Sequence, residues 1–166
     1  MDILDDDLLR VWKTLEANAV KYIMIGGIAS IFHGTSRITQ DADVWIEDSL
    51  ENRKALRSAL QDAGIGDFEQ LETLEFVPGF TTIYLNEFIE LDFFTDLKFY
   101  TKKDFAECYT LAETAVIENI SIKFLHIDHL LFEKQTANRP KDQFDIEELQ
   151  KIKKIIDNNE NRSNQT

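Results

Sequence analysis

Two aspartates two residues apart, Asp41 and Asp43, open the stretch DADVWIE. Alternate residues of a strand project to one face, so this spacing sets both carboxylates over one spot. Upstream, Gly26 and Gly27 end a short apolar run and begin a segment suited to a short helix. Glycine lets a backbone approach a phosphate closely, and the free N–H groups and dipole of a helix start favour anions. A phosphate cradle ahead of a metal-binding carboxylate pair points to metal-assisted phosphoryl or nucleotidyl transfer. Such chemistry needs two ions about 3.5–4 Å apart that share carboxylates. Hard oxygen ligands and phosphate suit Mg²⁺.

Asp92, in FIELDFFTD, is the candidate third carboxylate. It lies between Leu91 and Phe93 in a run that reads as a buried strand, where an unpaired acid is costly and a cation is a good partner. Glu90 shares its face and is the alternative, while Asp96 falls beyond the strand end. In the loop before the aspartates, the planar fork of Arg37 suits phosphate or carboxylate. Thr39 shares the face of Asp41 if the strand starts early, and Ser30 is a hydroxyl further along from the glycines. Towards the C-terminus, Lys134, Arg139 and Lys141 concentrate positive charge that would neutralise a triphosphate or leaving pyrophosphate. Asp142 and Asp145, three apart on a helix, are spaced to orient them. His126 and His129 lack the cysteine spacing of a zinc site. Trp45, Phe32 and the run Phe93, Phe94, Phe99 and Tyr100 read as core ahead of any base-stacking role.

Gly26-Gly27 followed by Arg37-x-Thr39-x-Asp41-x-Asp43 and apolar residues resembles the signature of the polymerase-β-like nucleotidyltransferase superfamily. The segment Lys134-x4-Arg139-x-Lys141-Asp142-x2-Asp145-Ile146-x2-Leu149 is similar to one in AbiEii-like toxins and related small nucleotidyltransferases. In size and motif layout the chain also resembles the short lincosamide and aminoglycoside enzymes. Many superfamily members carry serine directly after the first glycine; the Gly-Gly variant marks the small antibiotic-modifying branch. The resemblance covers most of residues 20–150. It implies transfer of an NMP from an NTP to a hydroxyl, with two Mg²⁺ ions held by Asp41 and Asp43. Asp92 would complete the acceptor-side metal site or act as base. Gly26, Gly27, Ser30, Arg37, Thr39, Lys134, Arg139 and Lys141 would bind the nucleotide. The acceptor stays open between a small molecule such as an antibiotic and an RNA or protein in a toxin–antitoxin setting. A protein partner or homodimer fits so small a domain. The alternative is a catalytically silent nucleotide- or partner-binding module on the same fold.

The elements that must position these residues follow from periodicity. Leu8, Trp12, Leu15 and Ala19 recur at helical spacing over residues 5–19. Tyr22–Ile25 and Ala42–Ile46 read as strands around a helix from Gly27 to Phe32 that Gly34 ends. Asp48 with Glu51 reads as a capping box for the next helix, with Leu56, Leu60 and Ala63 as its buried stripe and Gly64 as its stop. Residues 66–79 give no clear pattern. Thr81–Leu85 and Phe88–Phe94 read as a hairpin through Asn86-Glu87, and Thr114–Ile117 and Ser121–Leu125 as another through Glu118-Asn119. A short helix is expected over Thr101–Tyr109. Helices are expected over His126–Ala137 and Asp142–Ile156, broken by Asn138-Arg139-Pro140. This order predicts an α+β, α/β-like domain, a mixed β-sheet flanked by helices, over residues 1–157. The polar stretch 158–166 reads as a disordered tail.

The chain has 166 residues, a net charge of -13 and a sequence pI near 4.6. Its length suits one domain with a sizeable core. An acidic surface repels phosphate backbones, so extended nucleic acid is a poor partner, whereas a cationic small molecule or a protein fits. The single cysteine, Cys108, allows no intrachain disulfide and suits a reducing compartment. MDILDDDLL lacks the basic-then-apolar pattern of a signal peptide, and no apolar run approaches the ~20 residues that span a membrane. A cytoplasmic protein is expected.

Overall fold

A computed structural model describes residues 3–73, 80–87 and 89–163. Helix α1, Asp6–Ala17, is capped by the Asp5 carboxylate and buries Leu8, Trp12 and Leu15. Strand β1, Tyr22–Met24, runs into helix α2, Gly26–Phe32. Strand β2, Asp41–Ile46, follows a loop, and helix α3 spans Leu50–Asp62. Its N-cap is Ser49, whose hydroxyl accepts from the Asn52 amide. Asp48, the expected cap, lies one residue too early and instead pairs with Arg53. Gly64, at φ +75°, closes the helix as expected.

A short helix α4, Gln70–Thr73, falls in the unpatterned stretch, of which residues 74–79 lie outside the described residues. The expected hairpin forms between β3, Phe80–Tyr84, and β4, Glu90–Phe94, and is antiparallel. Asn86 Oδ1 accepts from the Ile89 amide to hold its turn; Phe88 lies outside the described residues. Helix α5, Phe105–Leu111, precedes β5, Glu113–Ile117, and β6, Ile120–Phe124. Their turn places Glu118 and Asn119 at φ +49° and +68°, the positive values a tight hairpin demands at both central residues.

Helix α6, Ile127–Ala137, is capped by His126 and ended by Asn138 in the left-handed conformation. A single 3₁₀ turn, Pro140–Asp142, leads into α7, Gln143–Ser163. Helix α7 outruns its expected end at Ile156 and includes residues 158–163 of the stretch read as a disordered tail. Once nucleated, a helix adds residues at little cost even where side chains bury nothing. Residues 164–166 lie outside the described residues.

The six strands form one mixed sheet in the order β3-β4-β2-β1-β6-β5. β2 pairs parallel with β4 and antiparallel with β1, while β1 pairs parallel with β6. The central strands show why the faces differ. Ala42, Val44, Ile46, Leu91 and Phe93 project to one face and are buried. The alternate residues Asp41, Asp43 and Asp92 project to the other and are half-buried. That face therefore opens where the acids stand. Among the described residues, no helix is long and apolar enough to cross a membrane.

Candidate active site

The parallel ladder of β2 and β4 sets Asp43 opposite Asp92 and Asp41 opposite Glu90. One carboxylate oxygen from each of Asp41, Asp43 and Asp92 lies within 4.8 Å of the other two. Asp92, which is 49 residues downstream of Asp43, thus joins the pair through strand pairing alone. Glu90 shares the face one register step away but is exposed and does not join the group. Asp96, beyond the end of β4, accepts from the Lys102 amide.

The two glycines meet this acidic trio directly. Gly26 has φ +60°, and a Cβ there would lie 1.9 Å from Asp43 Oδ2. A Cβ on Gly27 would lie 2.7 Å from Thr39 Oγ1 and 3.1 Å from Arg37 Cζ. The start of α2 is thus pressed against the carboxylates and the loop that precedes them, and only glycine permits that approach. Ser30 is fully buried and donates to the Gly26 carbonyl, bracing the turn from within the fold. Thr39 is buried too, and its hydroxyl donates to Asp41 Oδ1 at 2.5 Å.

Each acid feels this crowding differently. Burial works to raise the pKa of Asp41, but the Thr39 hydroxyl, Asp41's own amide and the charges of Lys141 and Arg37 outweigh it and hold it below the ordinary value. Burial pushes Asp43 up, and the charges of Asp41 and Asp92 push further, to about 6. Lys141 and Lys134 offset this only in part. Three carboxyl groups converge here, with the half-buried Asp43 facing two like charges. A bound divalent cation would relieve that repulsion, and hard oxygen donors suit Mg²⁺, so the donor set fits the expected metal.

The C-terminal cations arrive by another route. Lys134 is buried, with Nζ donating to Asp145 Oδ2 at 2.6 Å and to Asp142 Oδ1 at 3.4 Å. Arg37 Nη1 donates to the same Asp145 oxygen at 2.6 Å, and Arg139 Nε donates to Asp142 Oδ2 at 2.5 Å. Asp142 thus bridges Lys134 and Arg139, and Asp145 bridges Lys134 and Arg37. Glu148 accepts from the Ser36 amide and binds a second point of the loop before β2 to α7. Lys141 is exposed, and its charge reaches Asp41 and Asp43. Lys134 and Arg139 also line a cavity of about 400 Å³ beside Gly26 and Asp43, with apolar walls that include Phe94, Leu97 and Leu130. His126 caps α6, and Trp45 is fully buried, its Nε1 donating to the Thr95 carbonyl. Phe32 packs on Trp12 and Phe124, a core role rather than a base-stacking one.

One contact at the site escaped the sequence reading: Thr82 of β3, whose hydroxyl donates to Asp92 Oδ1 at 2.5 Å. Threonine is common in strands, and only the β3–β4 register, with Thr82 opposite Asp92, singles this one out.

A family model described as "Nucleotidyl transferase of unknown function (DUF2204)" matches residues 4–165. No curated protein matches the chain. Among solved structures, it is similar to the crystal structure of a candidate nucleotidyltransferase (TM1012) from Thermotoga maritima, with a TM-score of 0.59 and 12% identity over 91% of each chain. At that identity the likeness speaks for the fold alone: a mixed sheet of nucleotidyltransferase type.

Proposed function

The chain belongs to that family of nucleotidyl transferases of unknown function, and on this premise we propose that it is an active, metal-dependent nucleotidyltransferase. It transfers an NMP from an NTP to a hydroxyl of an acceptor and releases pyrophosphate. The observation that carries this reading is the convergence of Asp41, Asp43 and Asp92 within 4.8 Å against the Gly26 turn. Asp41, Asp43 and Asp92 are the residues that would hold Mg²⁺. When bound, the metal supplies charge neutralisation at the phosphates and a lower pKa for the attacking hydroxyl.

The chain's own residues do the positioning. The Gly26-Gly27 turn brings the backbone at the start of α2 directly against the carboxylates. Lys134, Arg139 and Lys141 from the C-terminal segment and Arg37 from the loop before β2 supply positive charge for a triphosphate. The cavity beside Asp43 is the candidate seat for the nucleoside. As the acceptor oxygen bonds to the α-phosphorus, the bond from phosphorus to the bridging oxygen breaks and pyrophosphate leaves. The hydroxyl proton passes to a carboxylate oxygen of Asp92, the base that the resemblance implies. Holding the reactants in line and matching charge supplies most of the rate in chemistry of this kind. The resemblance to AbiEii-like toxins and small antibiotic-modifying enzymes selects the acceptors to try: lincosamides, aminoglycosides, tRNA and protein.

The test is a transfer assay with Mg²⁺ and each α-labelled NTP, offered those acceptors and a cell lysate in turn. The Asp41→Ala, Asp43→Ala double variant runs alongside. Label that reaches an acceptor only with intact aspartates supports the reading and names the acceptor class. Mg²⁺-dependent NTP binding without transfer to any acceptor would overturn it in favour of a silent nucleotide-binding module.

A further inference from the structure

The acidic trio is held unevenly. Thr82 Oγ1 donates to Asp92 Oδ1 and Thr39 Oγ1 donates to Asp41 Oδ1, both at 2.5 Å. The two hydroxyls come from different elements: Thr82 from the edge strand β3, Thr39 from the loop before β2. Asp43 abuts Gly26 instead. Thr82, Asp92 and Asp43 stand in one row across three neighbouring strands.

A carboxylate on a strand turns freely about its last bond unless something holds one oxygen. A hydroxyl that donates to one oxygen fixes the carboxylate plane and leaves the other oxygen to face a cation. Threonine suits this task because its branched Cβ restricts χ1, so the hydroxyl is itself held in place. Thr82 is only half-buried, so its side chain is not chosen by core packing.

We infer that Thr82 is a positioning residue that sets the Asp92 carboxylate for divalent metal, paired with Thr39 at Asp41. This rests on the reading of the trio as a metal site. Removing an outer hydrogen bond of this kind weakens metal binding by about 10–100-fold. Thr82 is the cleaner test of the two, because Thr39 is packed against Gly27.

The experiment titrates Mn²⁺ into the full chain by calorimetry, with the bound ion followed by its paramagnetic resonance. Wild type, Thr82→Val, Thr82→Ser and Asp92→Asn are compared, and metal-free melting is measured for each. Valine keeps the shape and the β-branch while removing the hydroxyl. The expected result is a loss of about tenfold or more in Mn²⁺ affinity for Thr82→Val, with recovery in Thr82→Ser. Unchanged affinity in Thr82→Val, or no recovery in Thr82→Ser, overturns the inference. So does a loss of melting temperature in Thr82→Val with Mn²⁺ affinity intact, since the hydroxyl would then be merely structural. If the wild-type chain takes up no Mn²⁺, the functional reading fails and this inference fails with it. If uptake is present and Thr82→Val leaves it unchanged, only this inference fails.

Discussion

Asp43 shows how far the site departs from what stability alone would choose. Its half-buried carboxyl faces two others, and its pKa is raised to about 6. An acid whose folded pKa lies above its unfolded value of 3.8 costs stability once the pH exceeds that value, and the cost is complete above about 6. Asp43→Asn removes the charge and keeps the shape. Metal-free Asp43→Asn is expected to be more stable at pH 7.5 by on the order of 1–3 kcal/mol, read by denaturant titration. Mg²⁺ should raise the melting temperature of the wild type and leave the variant where it was. Its neighbour Gly26 is constrained from the other side. Alanine there meets both the cost of a left-handed backbone, about 1–2 kcal/mol, and a carboxylate oxygen 1.9 Å from the new methyl. Gly26→Ala should therefore lose Mn²⁺ binding in calorimetry and lower the denaturation midpoint by a corresponding amount.

The elements around the site are joined through buried charge. Asp145, on α7, accepts from Lys134 of α6 and from Arg37 of the loop that precedes β2. Removing one partner of a buried pair strands the other charge, at about 3–5 kcal/mol. Asp145→Ala is expected to fall in that range by urea denaturation, because Lys134 is only 2% exposed. Helix α2 contributes a pH dependence. His33, its C-cap, is buried, and its Nε2 lies 2.8 Å from the Leu125 carbonyl. Burial lowers its pKa below the ordinary 6.5, with the Leu125 carbonyl and Glu113 opposing in part. The unfolded chain therefore takes up a proton before the folded one does, and stability falls as pH drops below 6.5 towards the lowered value. His33→Gln keeps a donor for the carbonyl and has no proton to gain. Its denaturation midpoint should fall less between pH 7.5 and 5.5 than that of the wild type.

At the scale of the whole molecule, a net charge of -13 surrounds a site three of whose cations, Lys134, Arg139 and Lys141, gather in one C-terminal segment. That segment reaches the aspartates because α6 and α7 pack together and the chain between them turns at Pro140. Beyond Ile152, α7 carries mostly exposed residues, including Ile155 at 60%. Deleting residues 158–166 is accordingly expected to leave the melting temperature and Mn²⁺ affinity unchanged within error. A loss in either would show that the end of α7 supports the site.

The sequence by itself determined the local elements and the candidate residues of the site. Alternation in DADVWIE, glycines at the end of an apolar run and a cationic segment with spaced acids are all short-range signals. They marked Asp41, Asp43, Gly26 and the segment from Lys134 to Asp145 without reference to any long-range contact. The cap of α3 and the length of α7 differ from expectation because neighbouring residues compete for a helix end and the winner depends on local geometry. Only the tertiary structure decided what depends on register. It brought Asp92 rather than Glu90 to the aspartates, set Thr82 behind Asp92, and buried Ser30 and Thr39 where a ligand-facing role had been expected. It also turned Lys134 inward onto Asp142 and Asp145. A strand's own sequence says which residues share a face; which strand lies beside it, and at what offset, is settled by pairing between segments far apart in the chain.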